Sequence, residues 1–184
     1  MSVTKTGDLV SGSSDKTINI WNIQDGSIKR TLTGHTDCVF SSILLNNGDL
    51  VSGSRDTTIK IWDVENGTVK RTLTGHTSPV LGFTVLDNGY LVSGAVDKTI
   101  KIWNIEDGSV IRALNGHTDV VNALVVLSNG DLVSGSDDCT IKIWDVENGT
   151  IKKDIETDLL IGALVVLPNG DLVTASGNSI VIWV

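Results

Sequence analysis

Serine, histidine and aspartate recur near one another in this sequence, and together they are the residue types of a hydrolytic triad. The histidines and one series of aspartates each advance in steps of 41 residues: His35, His76 and His117, and Asp15, Asp56, Asp97 and Asp138. Triad catalysis needs one exposed, activated serine and an oxyanion hole, whereas this set occurs three times. The repetition favours a structural device, and the sequence contains no nucleophile-elbow, P-loop or metal-binding motif. We therefore predict a non-enzymatic protein with no cofactor and no metal.

Tryptophan follows the same period. The five residues are spaced by 41, 41, 41 and 39 positions: Trp21, Trp62, Trp103, Trp144 and Trp183. The segment TIKIWDVENGT at 58–68 returns unchanged at 140–150. One period therefore accounts for the histidine, aspartate, tryptophan and turn positions together. It predicts five repeat units centred on the tryptophans, within one domain spanning residues 1–184.

Each unit has the pattern of four antiparallel strands, A to D. In the unit of Trp62 they are predicted at Val39–Leu45, Leu50–Ser54, Thr58–Val64 and Thr68–Thr74. Asn-Gly and Asp-Gly pairs between the strands favour tight hairpin turns. Strands A to C are apolar on both faces, so each sheet must stack on a neighbour. Strand D carries lysine and arginine, which suits an exposed outer edge.

Composition excludes several function classes. The chain has 184 residues and a net charge of −8, which opposes binding to nucleic acids or to anionic membranes. The longest uncharged apolar run, residues 159–167, is too short to span a bilayer. Residues 1–10 lack the apolar core of a signal peptide, and Cys38 and Cys139 are expected to be reduced thiols. We expect a cytoplasmic location, with a nuclear one still open.

The combination of Gly-His, Asp and Trp-Asp or Trp-Asn on a period of about 41 residues resembles the WD-repeat β-propeller family. The resemblance covers essentially the whole chain. It implies an all-β propeller of about five four-stranded antiparallel blades, acting as a rigid, non-catalytic platform for other proteins.

The resemblance also implies a hydrogen-bond network within each blade, in which Asp holds His, His holds Ser, and Ser accepts the indole N–H. The residues at the matching positions of the second, third and fourth units are His35, Ser52, Asp56 and Trp62; His76, Ser93, Asp97 and Trp103; and His117, Ser134, Asp138 and Trp144. The first unit has Ser11, Asp15 and Trp21 without a histidine, and the last has Thr174 and Asn178. We expect a weaker or absent network at both ends.

The number of strands departs from the family pattern. The first blade should lack most of strand A, and the last blade should lack strand D. Propellers of this family usually have seven blades, which would need about 287 residues. We therefore expect a partial or open ring, although tight closure of five blades and assembly across two chains are alternatives.

Positions that vary between otherwise fixed repeats are candidates for partner contacts. In the family they lie on one rim, formed by the start of strand A and the residue before the network aspartate. In successive repeats they are Cys38, Phe40 and Arg55; Pro79, Leu81 and Val96; and Val120, Asn122 and Asp137. An aromatic and aliphatic cluster beside charged groups is typical of an interaction hot spot. The alternative is that Phe40 and Leu81 pack between blades.

The leading hypothesis is a protein-interaction scaffold that serves as the repeat module of a larger regulatory or signalling protein. A second is a small-ligand or glycan binder that uses the central channel. A third is an incomplete fragment without independent activity, which would self-associate through its open terminal blades.

Overall fold

The structure, a computed structural model of the chain, describes residues 2–183, and its regular elements are all β-strands. Nineteen strands form five antiparallel sheets, each connected in simple sequential order. We name these sheets blades 1 to 5. No helix in the described residues is long and apolar enough to cross a membrane. The chain divides into two compact units, Met1–Val80 and Leu81–Val184.

The first unit contains blades 1 and 2. The strands of blade 1 are β1 (Ser2–Val3), β2 (Leu9–Gly12), β3 (Thr17–Trp21) and β4 (Ile28–Thr33). Those of blade 2 are β5 (Val39–Leu44), β6 (Leu50–Ser54), β7 (Ile59–Asp63) and β8 (Thr68–Leu73). Strand A of blade 1 is reduced to two residues, as the sequence predicts. The four predicted strands of blade 2 are each found to within one residue at either end.

The second unit contains blades 3 to 5, with β9 beginning at the unit boundary. Blade 3 is formed by β9 (Val80–Val85), β10 (Leu91–Ala95), β11 (Ile100–Trp103) and β12 (Val110–Leu114). Blade 4 is formed by β13 (Val121–Val126), β14 (Leu132–Ser136), β15 (Thr140–Asp145) and β16 (Thr150–Glu156). Blade 5 has β17 (Ala163–Val166), β18 (Leu172–Ser176) and β19 (Ser179–Trp183). In residues 2–183 this last blade has no strand D, which confirms the prediction.

Apolar side chains from successive blades form the cores. In the first unit, Val10 and Ile18 of blade 1 join Val39, Leu50 and Trp62 of blade 2 in one buried cluster. Corresponding clusters lie between blades 3 and 4 and between blades 4 and 5 in the second unit. Every residue of β6, β10 and β14 is buried. Strand B is therefore covered on both faces, as predicted, while the D strands are mostly exposed.

Close approach between blades depends on a glycine in strand B. A Cβ atom at Gly135 would lie 2.2 Å from Cγ2 of Ile161, a buried side chain of blade 5. A Cβ at Gly12 would lie 2.7 Å from both the carbonyl oxygen and Cγ1 of Val39 in blade 2. These distances are well inside van der Waals contact, so only glycine allows the sheets to pack at this spacing.

We predict that Gly135→Ala lowers the free energy of unfolding by about 1–3 kcal/mol, because the added methyl group overpacks the contact with Ile161. The matched control is Gly162→Ala, since a Cβ there meets only the Ala175 carbonyl oxygen, at 3.6 Å. Urea unfolding of both variants checks the prediction. Equal stability of the two would contradict it.

Candidate functional site

Blade 2 contains a continuous chain of polar contacts that runs from its surface to its core. Asp56 Oδ2 lies 2.8 Å from His35 Nδ1, and His35 Nε2 lies 2.8 Å from Ser52 Oγ. The Trp62 indole N–H donates to the same Ser52 oxygen at 2.8 Å. Trp62 and Ser52 are fully buried, and the His35 and Trp62 rings lie 5.9 Å apart.

The donors and acceptors of this chain fix one protonation pattern. The Ser52 oxygen accepts the indole hydrogen, and the acceptor within reach of its own hydroxyl hydrogen is His35 Nε2. His35 Nδ1 then carries the hydrogen and donates to the Asp56 carboxylate. A second proton on His35 Nε2 would remove the acceptor that Ser52 needs. A neutral histidine beside an ionised aspartate is therefore the pattern in which every donor of the chain has an acceptor.

The pKa directions agree with this pattern. Burial lowers the pKa of His35 below its usual 6.5, against the opposing effect of Asp56. Burial alone would raise the pKa of Asp56, but hydrogen bonds from the Thr58 hydroxyl, the Thr36 and Thr58 N–H groups and His35 lower it to about 2. The Thr58 hydroxyl lies 2.7 Å and its N–H 2.9 Å from Asp56 Oδ1.

Blade 4 reproduces the arrangement. His117 lies 2.8 Å from Asp138 and 2.6 Å from Ser134, and the Trp144 indole donates to Ser134 at 2.8 Å. Burial lowers the pKa of His117, and the pKa of Asp138 falls to about 2. A fifth residue joins each set of four: the Thr140 N–H and hydroxyl donate to Asp138, as those of Thr58 donate to Asp56. The threonine two positions after the aspartate recurs at 41-residue steps, and the sequence analysis missed that signal.

In the third repeat the same residue types are divided between the two units. His76 is buried in the first unit. In the second unit the Trp103 indole donates to Ser93 at 2.8 Å, and Asp97 accepts from the Thr99 hydroxyl at 2.6 Å.

The terminal blades have shorter versions of the chain. In blade 1 the Trp21 indole donates to Ser11 at 2.8 Å, and Asp15 accepts from Thr17. In blade 5 the Trp183 indole donates to Thr174 at a longer 3.2 Å. Trp21 and Trp183 are only partly buried, unlike the tryptophans of blades 2 to 4.

Cys38, Phe40 and Arg55 lie at the edge of blade 2 where strand A begins and strand B ends, and Pro79 directly precedes β9. The Arg55 N–H donates to the Cys38 carbonyl at 2.8 Å, which joins the two positions. Phe40 lies between the paired residues Val39 and Ser41 without a partner of its own, in a β-bulge. Its side chain is 50% exposed, while Cys38 and Pro79 are partly buried.

The rim residues of the second unit show the same local geometry. The Asp137 N–H donates to the Val120 carbonyl at 2.9 Å, and Asn122 lies in a β-bulge between Val121 and Ala123. The Asn122 amide donates to Asp137 Oδ1 at 2.6 Å and to the Ile161 carbonyl at 3.1 Å. Leu81 and Val96 are partly buried. A bulge re-aims the side chain it contains, and no sequence signal indicated it.

We predict that Trp62→Phe lowers the free energy of unfolding by about 1–3 kcal/mol, because it leaves a gap and removes the donor to buried Ser52. Trp183→Phe should cost clearly less, since Trp183 is partly exposed and its hydrogen bond is longer. Thermal melting of the two variants, with Trp21→Phe as a third, compares the sites. Equal losses at Trp62 and Trp183 would show that the polar chain adds nothing.

Stability should fall as the solution is acidified from neutral pH. His35 and His117 have a lower pKa when folded, so below about pH 6.5 the unfolded chain binds more protons and is stabilised relative to the folded chain. The folded pKa values of about 2 for Asp56 and Asp138 extend the loss from about pH 4 downwards. Urea unfolding at a series of pH values measures this slope. His35→Gln, whose amide cannot titrate, should reduce the slope between about pH 7 and 5, and an unchanged slope would contradict the assignment.

Comparisons with known proteins agree with this architecture. The family model "WD domain, G-beta repeat" matches residues 1–22, 26–63, 67–104 and 108–145. Among solved structures, the chain is similar to the crystal structure of the WD40 beta propeller domain of Doa1, with 33% sequence identity and a TM-score of 0.85. The match covers 96% of this chain and 60% of that chain. A comparison with curated proteins gives no match.

The family model thus covers well over half of the chain, and its four segments coincide with the repeats that contain the first four tryptophans. The five antiparallel sheets and the structural similarity agree with that assignment. The chain belongs to the WD-repeat β-propeller family.

Proposed function

We propose that this chain is a non-enzymatic platform for protein–protein interaction and the repeat module of a larger regulatory or signalling protein. WD40 propellers are generally non-catalytic and generally bind other proteins. The observation that carries the proposal is the exposed Phe40 side chain on the bulge of β5, beside the turn that contains Arg55.

An exposed aromatic ring beside a charged side chain is a common feature of interaction hot spots. The Arg55 side chain is 62% exposed and lies 4.0 Å from Asp37, too far to be held firmly. Strand B and the polar chain below fix the backbone at this edge. A rigid support lowers the entropy cost of binding, which favours a rim that captures a partner without rearranging.

The Ser-His-Asp connectivity supports a structural role rather than catalysis. Ser52 and Ser134 are fully buried, and each accepts a tryptophan N–H. A substrate carbonyl cannot reach such a hydroxyl without opening the blade. We propose that the partners are proteins rather than nucleic acids or membranes, because the chain carries a net charge of −8.

Affinity purification with the wild-type chain as bait, followed by quantitative mass spectrometry, tests the proposal. Phe40→Asp should reduce recovery of the specific partner about tenfold, as expected for loss of a hot-spot aromatic. The matched control is Ile23→Asp, because Ile23 is 65% exposed in the C–D turn at the opposite end of blade 1.

Leu81→Asp provides the corresponding test in the second unit. If Phe40→Asp and Leu81→Asp both fold and capture the same proteins as wild type, the rim is not the binding surface. If wild type captures nothing above an unrelated bait, the platform function is wrong for this chain.

A further inference from the structure

Three blades carry the same ion pair at the outer edge of the sheet. A strand-D lysine reaches the aspartate that precedes strand B, 21 residues earlier, at 2.5–2.6 Å. The pairs are Lys29–Asp8, Lys70–Asp49 and Lys152–Asp131. In blade 3 both partners are different, because Tyr90 and Ile111 occupy the aspartate and lysine positions. One blade has thus exchanged an ion pair for two large side chains with apolar surfaces.

The exchange also releases the neighbouring turn amide. In blades 2, 4 and 5 the turn asparagine donates its amide to that aspartate, in the pairs Asn47–Asp49, Asn129–Asp131 and Asn169–Asp171. In blade 3, Asn88 keeps only the second contact of this turn: its oxygen accepts the Tyr90 N–H at 3.0 Å, as the other three asparagine oxygens accept the aspartate N–H. Within residues 2–183, the Asn88 amide group and the Tyr90 hydroxyl donate no hydrogen bond. Two polar groups are therefore available to a ligand.

These residues border a cleft of about 270 Å³ in the second unit. Its apolar wall consists of Leu86, Tyr90, Ile102, Ile111 and Val146. The volume exceeds the roughly 150 Å³ that accommodates a benzene ring in a protein cavity. It is below the ~300–1,000 Å³ of pockets for drug-sized ligands. The cleft fits one large apolar side chain.

The walls of the cleft are held in place. Tyr90 and Val146 pack against the buried cluster between blades 3 and 4. The Arg112 guanidinium donates to the carbonyls of Glu147 at 2.8 Å and Asn148 at 3.4 Å, which ties strand D of blade 3 to the C–D turn of blade 4. Ile111 remains 47% exposed at the opening. The shape is therefore present before any ligand arrives.

The charge around the opening is negative. Glu147 lines the cleft, and Asp87 lies in the turn between the lining residues Leu86 and Asn88; both are exposed. Neither has an ion-pair partner among the described residues, and Ile111 removes the lysine found at this position in blades 1, 2 and 4. The one cation in the lining, Arg112, is held by the Glu147 and Asn148 carbonyls and keeps its charge, so the carboxylates of Asp87 and Glu147 exceed it by one. This charge favours a ligand with lysine or arginine beside its apolar group.

We propose that the cleft binds a basic peptide segment of a partner protein, with one apolar side chain inserted between Tyr90, Ile111 and Val146. The Asn88 amide and the Tyr90 hydroxyl donate to backbone carbonyls of the peptide. Its flanking lysine or arginine side chains lie near Asp87 and Glu147. Within a blade, the A–B and C–D turns that form the cleft lie at the opposite end from the rim, so this site stands independently of the rim.

Fluorescence anisotropy with labelled synthetic nonapeptides tests the site. The probes contain a central leucine, phenylalanine or tryptophan between two lysines and two arginines. One control peptide has alanine at the centre, and another has glutamate at the four basic positions. At least one basic apolar peptide should bind the wild-type chain tenfold more tightly than either control.

The matched variant combines Tyr90→Asp with Ile111→Lys, which rebuilds the ion pair of the other blades and should fold normally. It should weaken binding of the best peptide at least tenfold, while thermal melting confirms that the chain is folded. Phe40→Asp should leave peptide binding unchanged, which separates this site from the rim.

Three results would each overturn the proposal. The first is equal binding of the alanine-centred peptide, which would indicate attraction by charge alone. The second is unchanged binding to a folded double variant, which would place the peptide elsewhere. The third is no binding of any basic apolar peptide up to about 1 mM, the weak limit of specific recognition.

Discussion

The inner strands of each blade are apolar on both faces, so a single blade cannot shield its own surface from water. Strand B is buried throughout in blades 2 to 4. Its glycine allows the next sheet to approach so closely that a single methyl group would not fit between Gly135 and Ile161. Stacking supplies the hydrophobic free energy that a lone four-stranded sheet lacks. The indole rings and the polar chains attached to them lie at these contacts between blades.

Large indole rings fill the space between blades, and each brings an N–H group that must be satisfied. Ser52 and Ser134 accept those protons, and the histidines and aspartates beyond them complete the chain to the surface. With a neutral histidine and an ionised aspartate, every donor in this series has an acceptor. A network of this kind is specific because an error at any member leaves a buried polar group unpaired. The network resembles a catalytic triad because both contain the hydrogen-bond order Asp–His–Ser, although we propose a structural role for it here.

Much of this could be predicted from the repeat. In blade 2 the pattern placed the four strands to within one residue, and the charges on strand D correctly indicated its exposure. The shortened blade 1 and the three-stranded blade 5 also follow from the position of each tryptophan. These features are local, because they depend on the turn residues and on the pattern of side chains along each short strand.

Other features depend on three-dimensional register. The bulges at Phe40 and Asn122 arise where one strand has an extra residue relative to its partner, and no residue type announces them. Thr57 and Cys139 adopt positive φ angles of 69° and 62° in the turn after the aspartate, although neither residue type favours that region. The turn keeps this backbone because each aspartate carboxylate accepts a hydrogen bond from the N–H of the threonine two positions later: Thr58 for Asp56, and Thr140 for Asp138. The sequence shows the Asp-x-Thr spacing, but only the fold shows why it matters.

A nearly perfect repeat makes its exceptions informative. Where a position serves packing, the same residue type returns in each blade, as Leu50, Leu91 and Leu132 do in full burial. Where an exposed position departs from the pattern, as Ile111 does, stacking does not explain the change. The ion pairs of the other blades join a half-exposed lysine to a mostly buried aspartate, and in blade 3 the Tyr90 ring replaces that aspartate and packs against the cluster between blades 3 and 4. The exchange for Tyr90 and Ile111 nevertheless converts a neutralised edge into an apolar cleft with acidic surroundings. Packing accounts for Tyr90, whereas the exposed Ile111 at the opening is best explained by what the surface binds.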